Sequence, residues 1–393
     1  MDNLFYIYAA LLLAFSGLTF QGKSGHWNSH ALYWIFSTPL ILFTALRPWG
    51  IMRDDRAYLA IFNNLSSDHF ENGLFSRDAL WFALIFTLKS ISQNVAWIQV
   101  TAASVLFIKL LLLQTISKPR NQLIVLFVYT CSYWQLHDLT QFRGSLAALF
   151  LIAFFWYTLK NRATLRFASL ALAIQAHNSA IATLIYLVER PIVKIVSLIR
   201  RAGNLGSSKN IGTSAQVHQL GSRPYRFPVM LSTRTTSIIV VTLLALIQIG
   251  AYPDLGGAIG FFNSSAQEST QHLSAQLNLY NERALDGNYQ SYRALPAILI
   301  VTIACYLFML RSLRCQHTDV HIQIAARSLI ISCFLAWMFA SISDVQVRYY
   351  ELFLLGGLVL VGTIRSTYSF LAAAVVGVAY FAKFNILWSI WSV

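Results

Sequence analysis

An all-α fold that crosses a membrane many times is what this sequence predicts, and three observations predict it. Of 393 residues, 56% are hydrophobic and only 11% charged, with a mean hydropathy of +0.57, which would leave a soluble domain without a polar surface. The apolar residues gather in blocks free of charge, at 4–20, 32–46, 123–133 and 238–249. A helix in hydrocarbon needs such blocks, because its backbone groups can be satisfied only within the segment. Lys and Arg number 29 against 15 acids, a net charge of +14, and they concentrate in connecting stretches. In a soluble protein that balance would suggest nucleic acid; here it records orientation and contact with anionic lipid headgroups, and no nucleic-acid partner is expected.

Taken in order, the first block has no basic flank before it and no clean small-residue cleavage site after it, and reads as a retained helix rather than a signal peptide. The stretch 189–234 holds Arg190, Lys194, Arg200, Arg201, Lys209, Arg223, Arg226 and Arg234 against Glu189, which assigns it to the cytoplasm. Its Gly-, Ser-, Asn- and Gln-rich middle reads as a linker. The chain is therefore expected to comprise an N-terminal helical half (1–190, outer loop 47–96), a basic cytoplasmic linker (191–235) and a C-terminal helical half (236–393, outer loop 254–293).

The basic turns at 118–120, 160–166, 311–327 and Arg365 join the linker on the inner side. That arrangement requires a turn at 176–179 between two short helices, 165–177 and 178–187. It also requires that 78–94 lie at the outer interface or re-enter rather than cross. Roughly twelve crossings result, some short or broken, with both termini outside. Cys131, Cys305, Cys315 and Cys333 form no CxxC pair, so neither disulfides nor a zinc site is expected. His317 and His321 lack the glutamate of a zinc-protease motif. No phosphate-binding glycine loop, dinucleotide fingerprint or serine elbow occurs, which argues against soluble nucleotide chemistry.

Polar residues that persist at membrane depth are costly, so they mark candidate sites. In the first outer loop Arg47, Arg53 and Arg56 surround Asp54 and Asp55, with Tyr58 following; this is either a general base beside an anion-binding guanidinium cluster or a self-paired solvated loop. His137, Asp138, Gln141 and Arg143 directly precede an apolar run. A guanidinium in the first turn of a helix opposes the dipole and needs an anionic partner or ligand, unless it snorkels to the interface. Gln175, His177, Asn178 and Ser179 break two apolar segments, with His177 either a hydrogen-bonded core residue or a titratable group. Arg348 and Tyr349 lie between Asp344 and Glu351, where Arg348 either binds phosphate or sugar or pairs with a neighbouring acid. The loop 254–293, with Tyr292 and Arg293, has the aromatic and charged mixture of a sugar-binding lid or of interfacial anchors. Lys109, inside an apolar run, is expected to snorkel or to pair with a neighbouring helix.

The order of these motifs resembles the EpsG-like family of bacterial polysaccharide-biosynthesis membrane proteins, which look like Wzy-type polymerases. Arg47, Asp54 and Tyr58, then Gln141 and Arg143, then His177 to Ser179, then Arg348 and Tyr350 carry the resemblance. Met52 stands where the family has a glycine, and the doubled acid leaves two registers for the loop aspartate. The resemblance implies a glycosyltransferase, of GT-C-like architecture, that joins undecaprenyl-diphosphate-linked repeat units at the outer face of the bacterial inner membrane. In that role Arg143 and Arg348, with Arg53, would stabilise the diphosphate, and Asp54, Asp55 or His177 would be the base. Arginines can replace a divalent cation, so no cofactor and no obligatory metal are expected. Donor and acceptor glycolipids, membrane lipid and a chain-length regulator are the partners implied. A lipid-linked oligosaccharide flippase and a membrane acyltransferase are the rival classes.

Overall fold

The computed structural model describes residues 2–22, 28–52, 54–65, 79–177, 180, 233–248, 294–313, 320–338 and 354–391. Among them every regular element is helical, with no strand. The helices are α1 (Asp2–Phe20), α2 (Ser29–Leu46), α3 (Asp55–Asn64), α4 (Ala79–Ile91), α5 (Ala96–Ile116) and α6 (Gln122–Tyr129), which continues as a π-helical segment over Thr130–Asp138. They are followed by α7 (Phe142–Leu159), α8 (Ala163–Ala176), α9 (Thr233–Gln248), α10 (Ala294–Ser312), α11 (Val320–Met338), α12 (354–361) and α13 (Thr367–Trp391). Four are long and apolar enough to cross a membrane by length and composition: α2, α5, α7 and α11. The expected dozen crossings is a larger number than these described helices establish. The linker, the second short helix 178–187 and the loop 254–293 lie outside the described residues.

The polarity of the described chain is inverted relative to a soluble protein. Leu4, Ile7, Leu11 and Leu18 are exposed along one face of α1, and Tyr368, Leu371, Val375 and Val378 along one face of α13; these three- and four-residue spacings make continuous apolar stripes facing outward. Lys109, Asp138, Arg47 and Asp55 are buried. Apolar outside and ion-paired inside is the arrangement that hydrocarbon solvent demands. The chain is a membrane protein.

Its centre is the continuous element α6 plus the π segment, every residue of α6 being buried. It packs against α1, α2 and α13, so the C-terminal helix closes on the N-terminal half. Close approach needs glycine: a Cβ on Gly377 of α13 would lie 2.3 Å from the ring of Phe127. Gly377→Ala is therefore expected to destabilise the protein by about 1–3 kcal/mol, read as a lower Tm of the purified chain in detergent.

The two ends of the bundle differ. At one end the turn after α5 meets the turn after α12: the Lys118 N–H donates to the Gly362 carbonyl at 3.0 Å, and Arg120 Nη2 to Ile364 at 3.2 Å. Ser312 Oγ is 2.6 Å from Ser369 Oγ there. The turns bearing Lys118, Arg120, Arg311 and Arg365, assigned to one side from the sequence, lie together. At the other end Arg47 of the α2 terminus reaches the Leu139 carbonyl between the π segment and α7. The described candidate residues collect at this second end.

Candidate functional site

Helix α3 starts within the first outer loop, and its start separates the paired acids. Asp54 is its N-cap residue and Asp55 its first helical residue; one step along a helix turns a side chain by about 100°. Asp55 turns inward and is fully buried, whereas Asp54 is half-buried. The Asp55 carboxylate takes a bidentate pair from Arg47, with Nη1 and Nη2 each at 2.6 Å. It also accepts the Gly50 and Met52 backbone N–H groups at 2.9 and 3.1 Å. Four donors occupy it. The Arg47 carbonyl in turn accepts from Gln99 Nε2 of α5 at 2.7 Å, and Arg47 Nη2 donates to Leu139 at 2.9 Å. Arg47 and Asp55, expected as a ligand and a candidate base, form instead a buried clamp that fastens the loop to α5 and to the turn before α7.

Above this clamp Tyr58 of α3 meets the start of α7. Its ring lies 4.9 Å from Phe142 and 5.3 Å from Trp81, and it belongs to a second, smaller core with Phe62, Ile85 and Ile98. Tyr58 hydrogen-bonds to both the backbone and the side chain of Arg143. Arg143 sits in the first turn of α7, where helix N–H groups lack intrahelical acceptors. Burial pushes the Tyr58 phenol up to about 12, against the pull of the Arg143 guanidinium, with Asp54 pushing further up. Tyr58 is thus a neutral phenol at any physiological pH. The first loop and the second cluster, 85 residues apart from Tyr58 to Arg143 (143 − 58), form one site of Asp54, Tyr58 and Arg143. Tyr58→Phe keeps the packing and removes these hydrogen bonds; about a tenfold loss of activity at unchanged protein level is expected, the worth of one such bond to a charged group.

Helix α4, 13 residues long, spans about 20 Å, less than the hydrocarbon core. Lys89 at its end donates to the Asn63 and Leu65 carbonyls, both at 2.9 Å, tying it to α3. A narrow, mostly apolar pocket lined by Trp81, Leu88, Ile98, Ala102, Phe142 and Leu146 lies between α4, α5 and α7.

Asp138, expected as a substrate ligand, is fully buried within an ion pair. Its carboxylate pairs with Lys109 of α5, accepts the Tyr129 hydroxyl, and accepts Ser145 Oγ at 2.6 Å, while Lys109 Nζ also donates to Ser145 Oγ at 2.7 Å. The π-helical winding brings Asp138 to this point; its closing bond runs from the Leu139 N–H to the Trp134 carbonyl at 3.1 Å. Such wide turns concentrate at functional sites. His137 is buried, stacked on Tyr133 at 5.6 Å, and faces Gly144, where a Cβ would stand 3.2 Å from Nδ1. Gln141 is the N-cap residue of α7 and is buried.

His177 ends α8 as its C-cap. Helices α7 and α8 form a packed hairpin turning at 160–162. From that turn Arg143 is about 24 Å up one helix and His177 about 21 Å up the other, so the two lie at similar depth at the same end. Arg53, Asn178, Tyr292, Arg293, Arg348 and Tyr349 lie outside the described residues. Sequence reasoning missed Gln99, Tyr129 and Ser145; Gln99, one of two amides in the apolar helix α5, was the available signal.

Residues 30–200 match the EpsG family model. The match is consistent with an EpsG-like membrane protein of polysaccharide biosynthesis. It encompasses Arg47, Asp54, Tyr58, Gln141, Arg143 and His177, so the EpsG-matching segment contains the whole of the described site. No curated protein and no solved structure matches the chain.

Proposed function

We propose that the chain is a polysaccharide polymerase that joins lipid-diphosphate-linked repeat units at the outer face of the bacterial inner membrane. The observation that carries this reading is the convergence of Asp54, Tyr58 and Arg143 at the bundle end opposite the basic turns, within the EpsG-matching segment. Basic turns are retained in the cytoplasm, which supports an outward-facing site.

In the proposed step a hydroxyl of the acceptor unit attacks the anomeric carbon of the donor chain. The new C–O bond forms as the anomeric C–O bond to the diphosphate breaks, and the lipid diphosphate leaves with the electron pair. Arg143, held by Tyr58, stabilises the charge that develops on the diphosphate, where a preorganised cation in a low-dielectric site acts most strongly. The acceptor proton passes to a base. Asp54 is the better candidate, because the Asp55 lone pairs are already taken by Arg47, Gly50 and Met52. His177, at the same end, is the alternative.

Purified full-length protein incubated with an undecaprenyl-diphosphate-linked repeat unit tests this directly. Products two or more units long, with release of undecaprenyl diphosphate, are expected. Movement of intact glycolipid across a vesicle without bond formation would support a flippase instead, and ester addition from an acyl donor an acyltransferase.

A further inference from the structure

We propose that Lys109 sets the electrostatics of the anion site at Arg143 by cancelling the Asp138 carboxylate that lies buried on the inner side of α7. The proposal rests on the reading of Arg143 as a ligand of the lipid-linked diphosphate, and it gives Lys109 a positioning role in that site.

The turn between the π segment and α7 folds Asp138 against the inner face of α7, whereas Arg143 leaves the helix toward Tyr58. Ser145, two residues after Arg143, donates to Asp138 Oδ1 at 2.6 Å, and Gly144, its immediate neighbour, packs against His137. Residues 143 and 145 lie about 200° apart around α7, so the Asp138 carboxylate and the Arg143 side chain are separated by on the order of 10 Å, about one helix diameter. A carboxylate left uncompensated at that depth would oppose any anion held by Arg143.

The surroundings of Asp138 supply the compensation from a different helix. Tyr129 of α6 and Ser145 of α7 hydrogen-bond to the carboxylate, Tyr33 of α2 and Tyr133 of the π segment lie beside Tyr129, His137 stacks on Tyr133, and the ion-paired cation is Lys109 of α5. Lys109 and Asp138 are fully buried, so water screens neither. Two unit charges about 10 Å apart at an effective dielectric constant of about 20 alter binding roughly tenfold.

This role differs in sign from simple bracing. Each variant breaks the same pair, but whatever charge the remaining group keeps in the interior is negative when the lysine is removed and positive when the aspartate is removed. The experiment titrates the full-length protein in detergent with undecaprenyl diphosphate, comparing wild type, Lys109→Met, Asp138→Asn and the double variant. Lys109→Met is expected to weaken binding by up to about tenfold, Asp138→Asn to tighten it by up to about tenfold, and the double variant to return close to wild type. If Lys109→Met does not accumulate as folded protein, tighter binding by Asp138→Asn than by the double variant carries the same conclusion. Shifts of both single variants in one direction, or no shift in either, would overturn the proposal. Absence of binding by wild type would remove the polymerase reading and this inference with it.

Discussion

Arg143→Ala is expected to slow chain extension by about 100- to 1,000-fold, the loss that follows removal of one preorganised charge-stabilising donor. The protein should still accumulate in the membrane. Arg143 is half-buried at the start of α7, and the clamp that fastens the loop uses Arg47 and Asp55 instead. Its position opposes the α7 dipole, so the helix loses nothing when the charge goes. Arg143→Lys should recover little, since an ammonium keeps the charge but loses the planar fork that engages a phosphate and the Tyr58 hydroxyl together. The rate of polymer formation by purified protein at matched concentration is the measurement. Activity of Arg143→Ala within about threefold of wild type would remove Arg143 from the chemistry.

Asp55→Ala should act through folding. It leaves the Arg47 guanidinium buried without its carboxylate and strands the Gly50 and Met52 N–H groups. Breaking a buried pair by removing one partner costs about 3–5 kcal/mol, enough to consume a large part of a domain's stability. Asp54→Asn changes stability by about 0.5 kcal/mol or less, as expected of a position with partial solvent access, while lowering the rate of extension. Thermal unfolding in detergent separates the two. If Asp54→Asn unfolds the protein and Asp55→Asn leaves it intact, the roles assigned to the adjacent acids are reversed.

Adjacent acids show where the sequence ran out. Asp54 and Asp55 are chemically identical, and the choice between them depends on the residue at which α3 begins; composition does not mark that point within one residue, and one residue is about 100° of rotation. The membrane class was legible because charge-free blocks have one physical explanation. Lys109 was legible as a residue that would snorkel or pair with a neighbouring helix, but its partner was not. Asp138 lies 29 positions away, and it faces Lys109 only because the segment 130–138 winds as a π-helix, which no residue pattern in it announced. The reading of His137, Asp138, Gln141 and Arg143 as one cluster held for their proximity. It missed that the carboxylate faces inward to α5 and the guanidinium outward to Tyr58.

Tyr58 itself was legible as part of a motif and obscure as a contact. An aromatic residue four positions after an aspartate says nothing about a helix that starts 84 residues later, at Phe142 (142 − 58). The contact follows from the apolar face of α3, which buries Tyr58 and Phe62 against Trp81 and Phe142. A loop described by its charges alone hides that small core.

The most direct test of the account is the surface glycan of a deletion strain, resolved by size and complemented with wild type or Arg143→Ala at equal membrane levels. Polymerisation predicts single repeat units in the deletion and in Arg143→Ala, with the full ladder restored only by wild type. A full ladder in the deletion strain would contradict it.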